Sequence, residues 1–124
     1  MHIQEIDREE YREKRSVFAA YLFRVSSKEE EKDALDYVKE REKGAKHILK
    51  VGRYPNAYGI QTLVSSENKE PISAMKKVSA VLEKRDVKDT LVVIARHYGG
   101  VRLGAANLDR IYFDLCITIL DRNA

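Results

Sequence analysis

The spacing of hydrophobic and polar residues changes along this chain, and each change marks a predicted element. Val17–Val25 is short and rich in aromatic and β-branched residues, which predicts a strand. The serines that follow this strand favour a helix start. The spacing of a capping box occurs twice there, in Ser26 with Glu29 and in Ser27 with Glu30.

The helix after these serines is predicted to lie on the outside of a sheet. Its apolar face is narrow, because Ala34, Leu35 and Val38 stand among many charged residues. The helix is expected to end near Lys43, since Gly44 is the residue type that most often follows a helix.

A hairpin and a second helix follow. Lys46–Val51 and Tyr58–Val64 have strand-like patterns, and the Gly, Pro and Asn of Gly52–Asn56 favour a turn between them. Pro71 suits a first helical position, and apolar residues at helical spacing continue this helix to Arg85.

The last part of the chain predicts a buried strand and a final helix. Leu91–Ala95 is continuously apolar, as in a central strand. After Tyr98–Gly100, the final helix is indicated by an apolar stripe of Leu108, Ile111, Tyr112, Leu115, Cys116 and Ile119. The order β-α-β-β-α-β-α predicts an α+β, two-layer single domain with a mixed four-stranded sheet and helices packed on one face. Residues 1–13 are expected to be a charged, loosely ordered leader, and residues 14–124 the domain.

Composition narrows the class of protein. The chain has 124 residues, 44% hydrophobic and 35% charged, which is enough for one domain with a core. Its single cysteine, Cys116, has no partner for an internal disulfide, and no Cys/His group has zinc spacing. We therefore expect no metal, no cofactor and a cytoplasmic location. The charged N-terminus argues against secretion, and no run approaches the ~18 apolar residues that cross a bilayer, so no membrane partner is expected.

Charge is distributed unevenly along the chain. The net charge is only +3, but residues 1–45 carry 10 basic and 12 acidic groups, whereas residues 46–124 carry 13 and 8. The basic excess in the second part permits a polyanionic partner without requiring one.

The segment Ala95–Leu108 carries most of the functional information. It joins the apolar strand to the final helix through three glycines, and such a junction directs free helix N–H groups toward an anion. Arg96, Arg102 and Arg110 would add positive charge. However, the glycines match neither a P-loop nor GxGxxG. The glycines alternatively serve a tight turn and close helix packing, and the basic residues alternatively form an ordinary solvated surface.

No catalytic constellation emerges from the residues. No serine has the GxSxG pattern of a nucleophile elbow, and His47 and His97 are isolated from other ligand types. Cys116 lies within the apolar stripe, so we expect a buried, inert thiol.

Several segments together resemble the conserved "ancient" domain of the IMPACT family of translation regulators. The most specific is Arg96–Gly104, which reads R-H-Y-G-G-V-R-L-G after the strand V-V-I-A. Shorter segments fall in the same order as in the family, namely Lys14–Phe18, Val25–Ser27, Ala45–His47 and Glu70–Pro71. The resemblance covers about Lys14 to Leu120.

The resemblance implies a fold and a functional class. The fold would be that of the second domain of a small-subunit ribosomal protein, with a left-handed crossover, and other members of that fold contact RNA. Ala106-Asn107 and Ile72–Ala74 stand where bacterial members have further glycines, so the resemblance leans toward eukaryotic members. We expect such a member, or a piece of one, without the RWD domain that eukaryotic members carry.

The resulting prediction is a monomeric, non-enzymatic interaction domain in translational control, in the amino-acid-starvation kinase pathway, with protein partners and actin as candidates. An RNA- or ribosome-binding domain is the alternative, and a small phosphate-ligand enzyme is the third reading. The candidate residues for binding nucleic acid or a partner are Lys46, His47, Lys50, Arg53, Arg96, Tyr98, Gly99, Gly100, Arg102, Gly104 and Arg110.

Overall fold

The computed structural model describes residues 3–124, which form a five-stranded sheet and three helices. The elements are β1 (Gln4–Glu13), β2 (Ser16–Arg24), α1 (Lys28–Arg41), β3 (His47–Pro55), β4 (Gln61–Ser66), α2 (Ala74–Lys84), β5 (Thr90–His97) and α3 (Ala105–Arg122). The strand order is β1-β2-β5-β3-β4, and every neighbouring pair is antiparallel. The α+β prediction is confirmed, but the sheet has five strands rather than four and is antiparallel rather than mixed.

The additional strand lies in the segment predicted to be a charged leader. Gln4–Glu13 pairs with β2 along its whole length, with a register shift between Glu5 and Asp7. Two of its carboxylates have partners on the helices: Glu5 accepts a hydrogen bond from Tyr37 on α1, and Asp7 accepts one from Arg122 on α3. Met1 and His2 lie outside the described residues.

The two faces of the sheet carry separate hydrophobic clusters. One face packs against α2 and α3 through alternate residues of the central strands, including Phe18, Leu22, Val92 and Ile94. The residues between them, such as Tyr21 and Val93, point to the other face, where they meet Ala34 and Val38 of α1. The prediction of helices on one face therefore holds for α2 and α3, while α1 covers the opposite face because both sides of β2 and β5 are apolar.

Helix α1 begins at the second of the two predicted capping boxes. Ser27 is the N-cap, and its Oγ accepts a hydrogen bond from the Glu30 N–H at 3.1 Å. The Glu30 carboxylate in turn accepts one from the Ser26 N–H at 2.7 Å. The predicted end also holds, since α1 ends at Arg41 and Gly44 has a φ of +87°.

The hairpin turn lies later in the chain than predicted. Gly52–Pro55 continues β3, and the turn is formed by Asn56–Ile60. The Asn56 side-chain oxygen accepts hydrogen bonds from the N–H groups of Tyr58 and Ile60, which fixes this turn. Gly52 is needed in the strand for a different reason: a Cβ there would lie 2.6 Å from the Thr90 carbonyl oxygen of β5.

The remaining elements largely agree with their predicted patterns, except at the start of α2. Helix α2 begins at Ala74 with Ser73 as its N-cap, so Pro71 precedes the helix and is not its first residue as predicted; the predicted end at Arg85 is the C-cap. Strand β5 is the central strand of the sheet. The predicted apolar stripe of α3 is buried along its whole length. Among residues 3–124, no helix combines the length and the apolar character that a membrane crossing requires.

Candidate functional site

One end of the sheet gathers three segments that are distant in sequence. Val17 of β2 pairs with His97 of β5, and Arg96 of β5 pairs with His47 of β3. The β1–β2 turn, the start of β3 and the loop from β5 to α3 therefore meet at this end. Five of their exposed residues define what we call the basic end: Lys14, Arg15, Lys46, Tyr98 and Arg102.

The glycine loop of this end, Tyr98–Gly104, requires glycine for two reasons. A Cβ on Gly99 would lie 2.2 Å from the carbonyl carbon of Arg15, so the loop and the β1–β2 turn are in direct backbone contact. Gly100 and Gly104 have φ values of +86° and +80°, which residues with a side chain rarely adopt. The predicted turn role of the glycines is thus present, and the close approach of Gly99 is to the β1–β2 turn.

The β1–β2 turn holds its two cations in an unfavourable backbone conformation. Lys14 and Arg15 have φ values of 45° and 69°, where Asn-Gly is the usual pair in a two-residue hairpin. Sequence reasoning used these residues only for the resemblance and did not place them in the site. The sequence does contain a signal for this turn: a basic pair, Lys14 and Arg15, stands without glycine between the two segments that the structure shows to pair as a hairpin.

Arg96 lies inside the protein, beneath the exposed loop. Only 6% of the residue is exposed, and its guanidinium Nη1 donates to the two Glu70 carboxylate oxygens at 3.1 and 2.9 Å. The guanidinium carbon lies 5.5 Å from the centre of the Phe18 ring and 5.3 Å from that of Tyr98. Arg96 therefore supports the loop from below and does not offer its charge to a partner on the surface.

Glu70 connects further groups to this buried pair. The Tyr112 hydroxyl of α3 donates to its carboxylate, and His47 Nε2 lies 3.4 Å from it. Burial, together with the hydrogen bond to Glu70, raises the pKa of Tyr112, so this hydroxyl keeps its proton. The segment before α2, the start of β3, β5 and α3 are thus joined by one carboxylate.

Tyr98 presents an aromatic surface between positive charges. Lys46 Nζ lies 4.6 Å from the centre of the Tyr98 ring, and the Arg96 guanidinium approaches the same ring. His47, the next residue after Lys46, is fixed by a contact of its Nδ1 with the Asn68 carbonyl oxygen at 2.9 Å.

The other basic candidates have internal partners. Lys50 is paired with Glu31 at 2.6 Å, and Arg53 with Asp86 at 2.8 Å. Arg110 lies on α3, 3.3 Å from Asp114. The structure therefore brings Lys46, Tyr98, the glycines and Arg102 together and separates them from Arg53. Lys50 lies near Lys46, but its charge is paired with Glu31.

The basic end has little internal neutralisation. Within residues 3–124, Lys14, Arg15 and Arg102 form no ion pair. Because these side chains are exposed and unpaired, they remain available for anionic groups outside the chain.

The thiol of the chain is inaccessible, as predicted. Cys116 is buried in α3, and burial raises its pKa to about 12, so it is a protonated thiol near neutral pH. In the described part of the chain, no group of three or more His, Cys, Asp or Glu side chains is arranged to hold a metal ion.

The glycine loop joins the central strand of an antiparallel sheet to the last helix, and this arrangement defines a class of domain. Comparison with known proteins identifies that class. The family model of the Impact N-terminal domain matches residues 14–120, and the chain belongs to the IMPACT family. The predicted family resemblance is thereby confirmed.

Relatives extend beyond the length of this chain. It is 32% identical over 99 residues to the IMPACT family member YvyE of Bacillus subtilis (strain 168), covering 79% of this chain and 45% of YvyE. A crystal structure of a hypothetical protein matches with a TM-score of 0.75 and 25% identity, over 92% of this chain and 58% of that one. The two-domain translational regulator Yih1 has the same fold, with a TM-score of 0.54 and 21% identity, over 94% of this chain and 46% of Yih1. The chain thus spans about half the length of these proteins.

Proposed function

We propose that this chain is a non-enzymatic regulatory domain of translational control that binds an anionic partner through the basic end. The unpaired cations Lys14, Arg15 and Arg102, set around a rigid loop, are the observation that carries the proposal. Family membership supports the functional class, since Yih1, which shares the fold, is a translational regulator.

The geometry favours binding over catalysis. Contact of Gly99 with Arg15 and of Arg96 with Glu70 fixes the loop before a partner arrives, so little conformational entropy is lost on association. The buried carboxylate, phenol and guanidinium are already bonded to one another.

The partner in this proposal is a protein of the amino-acid-starvation kinase pathway that presents an acidic surface, and the site of action is the cytoplasm. Charge complementarity of this kind mainly accelerates association and excludes wrong partners. The interaction should therefore weaken as ionic strength rises.

A translation extract tests this function. Purified wild-type domain is expected to change the synthesis of a reporter protein, and the variant Lys14→Glu/Arg102→Glu is expected not to. The matched control is Arg24→Glu/Lys84→Glu, which changes the net charge equally at exposed, unpaired positions away from the basic end. Equal effects of the two double variants, with unchanged melting temperatures, would refute the role of the basic end.

RNA is the second candidate, because the exposed Tyr98 ring beside Lys46 suits base stacking next to phosphate contacts. Fluorescence anisotropy with a single-stranded and a structured RNA at several salt concentrations separates the two functions. Binding that falls steeply with salt and is lost in Tyr98→Ala supports RNA as the partner. Absence of RNA binding at low salt, with reporter synthesis still changed, leaves the protein partner.

A further inference from the structure

The two edges of the sheet are protected very differently. Edge strand β1 carries a charge at seven of its ten positions and has a register irregularity between Glu5 and Asp7, both of which discourage pairing with another chain. Edge strand β4, with the sequence Q-T-L-V-S-S, has no charged residue and no proline. In the part of the chain that the structure describes, no strand pairs with the outer side of β4.

An apolar cavity lies on the α1 face of the sheet beside the first half of β4. Its volume is about 610 Å³, which is enough to seat one large side chain. Its walls include Tyr54, Pro55, Thr62 and Val64, together with the residues around the start of α1. A side chain from a strand added beside β4, at the usual spacing of about 4.8 Å, reaches over Thr62 and Val64 into this cavity.

A basic cavity lies on the same face beside the other end of β4. It has a volume of about 300 Å³, and its walls include Lys39, Lys46, Lys50 and Ser66, with no acidic residue. The Glu31 carboxylate accepts hydrogen bonds from Lys50 Nζ and from the Tyr54 hydroxyl. Glu31 therefore lies between the two cavities.

The spacing of the cavities matches the repeat of a strand. Val64 lines the apolar cavity and Ser66 lines the basic one, and two residues of a strand span about 7 Å. Residues i and i+2 of an added strand therefore lie opposite the two cavities on the same face. An antiparallel partner runs from the basic cavity toward the apolar one, so its acidic residue comes first.

We propose that the β4 edge is a strand-addition site for an extended peptide segment of a protein partner, in which an acidic side chain precedes a large apolar one by two residues. Main-chain hydrogen bonds to β4 supply affinity, and the two cavities supply specificity. A second copy of this chain is a poorer occupant, because β4 itself has no carboxylate to meet the lysines. This surface differs from the basic end except at Lys46.

Peptide titration followed by amide NMR spectroscopy tests the site on the full chain. The chain is isotope-labelled, and the probe is the peptide GTETFTG. The peptide GTKTFTG is its charge-reversed counterpart. We expect the first to bind, with the largest shift changes at residues 61–66, and the second to bind at least tenfold more weakly. Lys39→Glu is expected to reverse this preference, whereas the control Lys84→Glu, on α2, is expected to leave it unchanged.

Backbone pairing is tested separately. Every second N–H of a paired strand points to its neighbour, so methylation of one alternate set of amides in GTETFTG should abolish binding. The proposal is overturned if GTETFTG at 1 mM leaves residues 61–66 unshifted, or if Lys39→Glu leaves the preference unchanged. A dimer that forms without peptide and shifts the same residues overturns it in favour of a second copy.

Discussion

Glu70 and Arg96, which are 26 residues apart in the chain, form an ion pair that is almost completely buried, with 2.9 Å between Nη1 and Oε2. It ties the segment before α2 to the end of the central strand, directly beneath the glycine loop. Removal of one partner leaves the other charge buried without compensation, which typically costs about 3–5 kcal/mol.

Glu70→Ala is therefore expected to lower the free energy of unfolding by about 3–5 kcal/mol in urea denaturation. The double variant Glu70→Ala/Arg96→Met should cost clearly less than the sum of the two single variants, because no unpaired charge remains in it. Additive costs in this double-mutant cycle would contradict a coupled pair.

Gly99→Ala and Gly100→Ala separate the two reasons for glycine in the loop. At Gly99 the added Cβ meets the backbone of Arg15, and overpacking of this kind costs about 3 kcal/mol. At Gly100 the space is open and only the positive φ opposes alanine, at about 1 kcal/mol. Urea denaturation should rank Gly99→Ala as the more damaging change, and the opposite order would show that the contact with Arg15 is not close.

The residues of the β1–β2 turn lower the stability of the turn but add two positive charges to the basic end. Lys14→Asn/Arg15→Gly introduces the pair that two-residue hairpins favour, so the free energy of unfolding should rise by about 1 kcal/mol. The same variant removes two cations of the basic end and should weaken binding of the anionic partner. A stabilised variant with unchanged binding would remove this turn from the proposed surface.

Asp109 makes the stability of the fold depend on pH. Its carboxylate accepts hydrogen bonds from Lys77 and from the Ser73 N–H, and these hold its pKa below the ordinary value of 3.8. The stabilisation is complete above that value and is lost as pH falls through the lower folded-state pKa. Asp109→Asn should thus lower the melting temperature at pH 7, with a difference from wild type that shrinks at strongly acidic pH.

The control for this pH dependence is Asp114→Asn on the same helix. Asp114 forms only an exposed pair with Arg110, so its replacement should change the melting temperature little at any pH. A difference between Asp109→Asn and wild type that stays constant down to pH 2 would contradict the assignment.

Periodicity predicted those elements whose buried side chains are apolar. The stripe of α3 and the run Leu91–Ala95 were sufficient to predict these elements, because burial of an apolar side chain does not depend on one specific polar partner elsewhere in the chain. Strand β1 was missed because carboxylates such as Glu5 and Asp7 face its neighbours, and their partners lie on α1 and α3.

The same limit applies to the site. The glycine loop was found from its sequence, but Arg96 was expected on the surface because its partner Glu70 is remote in the chain. Lys14 and Arg15 joined the site only through the pairing of β2 with β5, which brings their turn to Gly99. Contacts between distant segments decide which basic residues share a surface, and the local pattern does not record them.

The match to the family begins at residue 14, directly after β1. A chain shortened to that boundary would leave β2 as the outer strand, with free backbone groups and apolar side chains on both faces. Such an edge is a template for aggregation. The charged strand β1, outside the family boundary, therefore covers this edge and keeps it from pairing with other chains.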